Sequence, residues 1–414
     1  MHFETFLLLS YLSMGPLTWL AYGWLMYAGR RKMVLMYRPP HPIQGPPPSV
    51  SILIPAKDEG ERIRGCLLSA LEQDYPNFEV IAIDDRSVDQ TGAVMDELAA
   101  AHPKLKVIHV TEPPAPGWTG KNNALWTGQK QSTADWLLFV DSDMFLEKDA
   151  LSVAMSVVLR KKFDLLSLLP RLESHSLWES LLVPLAGGTA STMYMIALTN
   201  NSQLPNTAFA NGQFLLINRP SYEAIGGHET VRDRFCEDIE IARLMKPRGM
   251  RPRVSWGNDF CSVRMYSSLG AIFRGWSRIY YSATVGKPWR PLAALQFILF
   301  SCFTAYIALA WAIFRMAHPS PALWGWAGPA WLAASIIHLC VMTWFIGVIY
   351  HWSGNPRRNA LWFPIAGTML SAIILRALRM CITKKVEWRG TAYSHTMAQT
   401  LSTAATQDTK PTAV

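Results

Sequence analysis

Apolar and polar positions divide the chain into stretches with different periods. Phe6 to Ala28 is an almost uncharged run, long enough to cross a bilayer, which takes ~20 residues. It predicts an N-terminal transmembrane helix within 1–29. No basic region precedes it and no small-residue cleavage site follows, so a membrane anchor is preferred over a cleaved leader. From 30 to 49 the chain is basic and Pro-rich, which predicts a stiff, extended linker. Beyond it, short apolar runs alternate with helical spacing. Strands are predicted at Val50–Pro55, Phe78–Ile83, Lys106–Val110 and Trp136–Val140. Helices are predicted at Glu61–Glu72 and Asp89–Ala101. That alternation predicts an α/β fold, a mostly parallel open sheet covered on both faces, over 50–262.

The C-terminal third returns to apolar patterning. Over 263–290, Met265, Leu269, Ile272, Trp276 and Ile279 recur at helical spacing beside Arg264, Arg274 and Arg278, which predicts an interfacial amphipathic segment. Leu292 to Phe314 and Trp331 to Tyr350 are long enough to span. Ala360 to Leu375 is shorter and has basic residues at both ends, so a re-entrant or interfacial segment is expected there. Together these make 291–390 a C-terminal membrane region, and the Ser/Thr/Ala-rich tail at 391–414 is expected to be disordered. Leu177 to Leu198 is apolar too, but a crossing there would put Asp141 and Asp238 on opposite sides of the membrane. It is read as interfacial helices.

Composition sharpens this picture. Half of the 414 residues are hydrophobic and only 17% are charged, well below a typical soluble domain. The net charge of +9 suits an anionic membrane surface or a phosphate-rich ligand. The basic residues are spread along the chain, so nucleic acid is not expected as a partner. Arg30, Arg31, Lys32 and Arg38 follow the first span, and the positive-inside rule then puts the α/β domain in the cytoplasm of a multi-pass inner-membrane protein. Six scattered cysteines without a CxxC pair read as thiols, not as a disulfide framework.

The candidate chemistry sits where strands end, the usual place for ligands on such sheets. Asp141 and Asp143 follow the Trp136–Val140 strand, and two carboxylates so placed suit Mg²⁺ or Mn²⁺ and, through it, a diphosphate. Asp84 and Asp85 end the second strand, where a carboxylate suits a base or ribose edge and equally the start of the next helix. The polar run through Glu59 ends the first strand. Gly117 to Lys121 fails as a phosphate-binding P-loop, because its first glycine is out of register. Lys121 at a helix start still suits a diphosphate oxygen. Glu237 and Asp238 open a helix, which suits either dipole stabilisation or a general base.

These pieces together resemble glycosyltransferase family 2 with the GT-A fold. The motifs are PAKDE at 55–59, DDRSVD at 84–89, GWTGKNNAL at 117–125, DSDM at 141–144, NGQFLLI at 211–217, GGH at 226–228 and EDIEIAR at 237–243. The closer similarity is to membrane members that glycosylate lipids: ceramide glucosyltransferase, and hopanoid-associated and carotenoid-acid glycosyltransferases. The resemblance implies a nucleotide-sugar donor, a UDP-sugar foremost, bound by Glu59, Asp84, Asp85, Lys121 and Asp141. It implies a metal on Asp141 and Asp143, Asp238 as the base, and inverting transfer to a membrane lipid. Asn211, Gly212 and Gln213 would line the acceptor side. Trp276 and Arg278 are placed there too, although only Arg278 matches the related [Q/R]xxRW signature. Glu387 to Gly390 is similar to a closing WRG motif. A polyprenyl-phosphate glycosyltransferase is the nearest alternative. A processive polysaccharide synthase and an inactive nucleotide-binding scaffold are further ones.

Overall fold

Val50–Ala56 is buried on both faces, which is why it reads as a continuous apolar run instead of an alternating one. In the computed structural model, which describes residues 3–204, 207–284, 287–318, 327–383, 385–388 and 391–394, this segment is β1, near the middle of a seven-stranded sheet. β2 (Phe78–Asp85), β3 (Leu105–Val110) and β4 (Trp136–Val140) fall where the apolar runs predict them. β1 pairs in parallel with β2 on one side and with β4 on the other, and β2 pairs in parallel with β3.

Alternate residues of these strands feed two separate cores. Ile52, Ile54, Val80, Leu138 and Val140 pack on one face. Leu53, Ile81, Ile83, Leu137 and Phe139 pack on the other. A sheet buried on both sides binds at its carboxyl edge, and the register lines that edge up: Ala56 lies beside Asp84, and Asp85 beside Val110.

Among the described residues eight strands were not foreseen: β5 (Met144–Leu146), β6 (Leu165–Leu169), β7 (Arg171–Leu172), β8 (Phe214–Asn218), β9 (Pro252–Trp256), β10 (Cys261–Val263), and β11 (Lys385–Trp388) paired with β12 (Thr391–Ser394), the last at the start of the tail expected to be disordered. Apolar runs of two to five residues carry no period that separates them from a helix turn. The main sheet runs β3-β2-β1-β4-β8-β6-β9, and β5, β10 and β7 form a small second sheet. β8 alone in the main sheet runs antiparallel to its neighbours, and it pairs with β4 so that Phe214 sits beside Val140. The turn before β8 is thereby placed at the active edge. The result is a mostly parallel open sheet covered on both faces.

The chain divides into two compact units. The sheet belongs to the one built from 32–173, 198–265 and 387–414. The other comprises 1–31, 174–197 and 266–386 and is helical. Among its described residues, three helical stretches are long and apolar enough to cross a membrane: Trp289–Ala317, Ala327–Trp352 and Arg357–Thr383. The third is a correction in length. The apolar run at 360–375 continues as helix to Thr383, because Ala377 and Cys381 carry its buried face on past Arg376 and Arg379. The N-terminal run is corrected as well. It forms two helices, Phe3–Met14 and Pro16–Arg30, of 12 and 15 residues. Pro16 has no N–H to continue the first helix and suits the first position of a new one. In the predicted amphipathic segment, Ser268 caps the Leu269–Ala283 helix by accepting from the Ala271 N–H, so the helix starts later than its apolar spacing does. Leu177–Met193 is one helix with Pro184 inside it. All six cysteines are free thiols.

Leu138, fully buried in β4, sits directly behind the acidic edge. Leu138→Ala should cost about 2–5 kcal/mol, read as a lower thermal unfolding midpoint of the detergent-solubilised chain. An unchanged midpoint would contradict the two-sided core.

Candidate active site

The carboxyl edge of the sheet opens into a cleft of about 470 Å³. Its walls include Pro55, Lys57 and Glu59 from the end of β1, Asp85 and Arg86 from β2, Lys121 from the Gly120–Gln129 helix, and Asp141, Ser142 and Asp143 after β4. Glu59 is fixed through its backbone, whose N–H donates to Thr91 Oγ1 at 2.8 Å. Asp85 accepts from Arg86 Nε at 2.8 Å. Asp84 behaves differently from its neighbour. Its carboxylate accepts the Ser87 N–H at 3.1 Å and meets His109 Nδ1 at 3.1 Å, and it is absent from the cleft lining. In register, Asp84 and His109 are side by side on adjacent strands, so the pairing follows from the sheet.

Lys121 is the centre of the charge arrangement. Its ammonium lies 2.7 Å from Asp141 Oδ1 and 2.7 Å from Glu237 Oε1. Thr119 caps its helix by accepting the Asn122 N–H, and Asn122 Nδ2 donates to the carbonyls of Val231, Arg232 and Arg234. The helix start and the loop before Glu237 are thus bound together, which brings Lys121 against both acids. Burial pulls the ammonium's pKa down, but Asp141, Glu237 and Asp238 outweigh it and hold it well above the usual lysine range.

Asp238 lies beneath. Burial pushes its carboxyl up to about 7 and Glu237 adds to the rise. Lys121 and two backbone N–H donors oppose it. Those donors are Ile239, to Oδ1 at 2.8 Å, and Gly212, to Oδ2 at 2.5 Å. Gly212 must come this close: a Cβ there would stand 3.2 Å from Asp238 Oδ2. The turn that supplies Gly212 is braced on both sides. Asn211 Nδ2 donates to Gln213 Oε1 at 3.0 Å, and the Asn211 N–H donates to Ser167 Oγ at 2.7 Å. The structure therefore brings Asn211–Gln213 to Asp238 through backbone geometry.

Asp143 is the second half-buried acid with a raised carboxyl. Burial raises its carboxyl to about 7, helped by Asp141 and Glu59 and opposed by Arg62. Among the described residues no three His, Cys, Asp or Glu side chains form a ready-made metal site. Two carboxylates facing a cleft are nevertheless the donor set that Mg²⁺-type ions use when phosphate oxygens and water complete the shell. Mutual repulsion among Asp141, Asp143 and Glu59 is what a divalent cation would relieve. The residues present fit such an ion.

Sequence reasoning missed two participants. Glu237 was read as a helix-start acid, yet its carboxylate is the second partner of Lys121. His228 is buried below the lysine, and burial together with the Lys121 charge lowers it to about 3, so the ring is neutral. Tyr222 accepts the His228 N–H at 3.0 Å and its hydroxyl lies 2.7 Å from Nδ1. The GGH motif at 226–228 was the available signal, but nothing in it names Tyr222 as the partner. Trp276 and Arg278 belong to the helical unit, where Trp276 is buried against Tyr280. Of Glu387–Gly390, the side chains lie outside the described residues.

A family model described as glycosyl transferase family 21 matches residues 15–400. Two relatives are 4,4'-diaponeurosporenoate glycosyltransferases of Staphylococcus aureus. The MRSA252 protein is 26% identical over 264 residues, 63% of this chain and 68% of that one. The USA300 protein is 25% identical over the same shares. Among solved structures, the mannosyltransferase PcManGT from Pyrobaculum calidifontis, in complex with GDP-Man and Mn²⁺, is 17% identical, with 92% of this chain and 98% of that chain covered and a TM-score of 0.49.

Lys121→Met would leave three acids facing one another. The native ammonium's folded pKa lies above its ordinary 10.5, so its stabilisation is present throughout the neutral range and is lost only in strong alkali. The variant should lose about 2 kcal/mol at pH 8, a discount on the usual cost of breaking a buried pair because Lys121 is only half-buried. At pH 5 the loss should be smaller, since protonation relieves the repulsion. Thermal unfolding at both pH values reads this. An equal loss at the two would contradict the charge account.

Proposed function

The chain belongs to glycosyl transferase family 21, and from that premise we propose that it moves a sugar from a nucleotide-sugar donor, a UDP-sugar, to a membrane lipid with inversion at the anomeric carbon. The observation that carries the proposal is the bridge Asp141–Lys121–Glu237, which joins the acidic edge of the cleft to the half-buried Asp238. One side of the bridge suits a leaving diphosphate, the other an attacking acceptor.

Glu59, Asp85, Lys121 and Asp141 would hold the donor. Asp84 would support that wall from behind through Ser87 and His109. Asp141 and Asp143 would hold Mg²⁺ or Mn²⁺, which supplies charge neutralisation of the departing nucleoside diphosphate. Lys121 is placed to follow the same developing charge. Asp238, with a carboxyl pKa near neutrality, would take the proton of an acceptor hydroxyl. The backbone N–H of Gly212 keeps one carboxylate oxygen oriented while the other receives the proton. Gly212, flanked by Asn211 and Gln213, would lie on the acceptor side. The basic run Arg30–Lys32 supports a cytoplasmic catalytic unit in a multi-pass inner-membrane protein.

A second reading has its own support. The relatives are named for 4,4'-diaponeurosporenoate, a carboxylate. A carboxylate acceptor, like a polyprenyl phosphate, is already anionic and needs no base. Asp238→Asn separates the two readings. For a hydroxyl acceptor it should reduce kcat by ~10²-fold or more while donor affinity, measured by calorimetry, is unchanged. The parent's kcat/KM should also fall about tenfold per pH unit below about 7, since a base with a raised pKa is active above that value and lost below it. Normal turnover of Asp238→Asn with a flat acid limb would replace the hydroxyl acceptor with an acidic one. Loss of donor binding would move Asp238 into the nucleotide site.

The metal assignment has a separate test. Excess EDTA should abolish transfer, added Mn²⁺ or Mg²⁺ should restore it, and Asp143→Ala should be inactive with an unchanged thermal midpoint. Full activity in EDTA would remove the metal from the mechanism.

A further inference from the structure

The helical unit contains its own cavity, of about 330 Å³, between the Pro16–Arg30 helix and the C-terminal part of the Ala327–Trp352 helix. These helices run parallel: Gly15 meets His338, and further along Gly23 meets Phe345. At Gly23 a Cβ would fall 1.7 Å from the Phe345 ring, so the glycine lets that ring form the floor. Tyr22 forms a wall and is fixed by Thr192 Oγ1 at 2.8 Å. Tyr27 and Trp344 complete it and stay 57% and 60% exposed, so the groove opens outward.

One end of this apolar groove is cationic. Tyr27, His351 and Arg357 all line it, with the Arg357 backbone against Gly347. Arg31 donates to the Tyr27 hydroxyl at 2.9 Å and lies 4.9 Å from its ring centroid. Among the described residues, neither Arg31 nor Arg357 has a carboxylate within ion-pair distance. An apolar trough with aromatic walls, capped by two guanidinium groups lacking counter-ions, is complementary to a molecule with an acyl chain and an anionic head.

We propose that this groove is a binding site for an anionic phospholipid of the bilayer, with its phosphate against Arg31 and Arg357 and an acyl chain over Phe345. The site lies in the helical unit and is separate from the sugar-transfer cleft. It places the basic end at the headgroup level of one leaflet. Arg31, held against the Tyr27 ring, and Arg357, in the groove lining, would each offer a guanidinium to the phosphate, and the aromatic rings supply the chain contact.

The test uses the full chain in detergent, titrated with phosphatidylglycerol or phosphatidylcholine of identical acyl chains, with bound lipid counted by native mass spectrometry. Phosphatidylglycerol should bind at least ~10-fold more tightly, about 1.4 kcal/mol. The double variant Arg31→Gln/Arg357→Gln should erase the preference, and Arg357→Lys should keep most of it. Phosphatidylglycerol with brominated chains in mixed vesicles should quench tryptophan fluorescence in the parent more than in the double variant. Equal binding of the two lipids by the parent would overturn the proposal whether or not the variants fold. A preference that survives in a double variant with the parent's thermal midpoint would also overturn it. So would competitive displacement of phosphatidylglycerol by the glycosyl acceptor, which would make the groove an acceptor channel.

Discussion

A single ammonium group holds the catalytic end of this protein together. Lys121 lies 2.7 Å from Asp141 and 2.7 Å from Glu237, with Asp238 next in line. Without it, the carboxylates of Asp141, Glu237 and Asp238, from two distant parts of the sequence, would repel one another across a partly desolvated cleft. With it, the end of β4, the start of the Gly120–Gln129 helix and the start of the Glu237–Met245 helix are held in one geometry. The arrangement is one that breaks badly if a partner is removed, because the remaining charges are then left without compensation. It also leaves Asp143 and Asp238 as two half-buried acids with carboxyls raised towards neutrality.

The rest of the α/β unit can be understood as the frame for that contact. Parallel strands buried on both faces leave only their carboxyl edge for chemistry, and the register of β1 with β2 and of β2 with β3 levels that edge. The antiparallel β8 then returns the chain so that Gly212 enters beside Val140 and Asp141. Its backbone N–H reaches Asp238, a contact that a side chain at 212 would crowd. Asn122 does the corresponding work on the other side by gathering three carbonyls of the loop that precedes Glu237.

Much of this was legible from the residues. VSILIP, FEVIAI and WLLFV announce buried strands by continuous apolarity, and the acids that follow mark the edge. The strands completing the sheet were not legible, because LLSLL and FLLIN lie outside the regular strand–helix alternation and pair with neighbours distant in sequence. Among the site residues, Asp85, Glu59, Lys121, Asp141 and Asp143 lie on the cleft as their positions at strand and helix ends imply. Asp84 does not, since two adjacent carboxylates on a strand point to opposite faces and only one can look into the cleft. Glu237 as a lysine partner and His228 with Tyr222 were invisible for the same reason: each contact joins residues whose proximity only the fold creates. The break at Gly15–Pro16 was written in the sequence, yet hydropathy alone passes over it.

The account stands on transfer of a sugar to a lipid with inversion. The most direct measurement incubates the purified chain, in bilayers, with a nucleotide sugar labelled in the sugar and with lipids extracted from the producing cells. The account predicts label in the organic phase, in a glycolipid whose anomeric configuration, by NMR, is opposite to the donor's. Label found only as free sugar or water-soluble polymer would contradict it, as would a glycolipid that retains the donor's configuration.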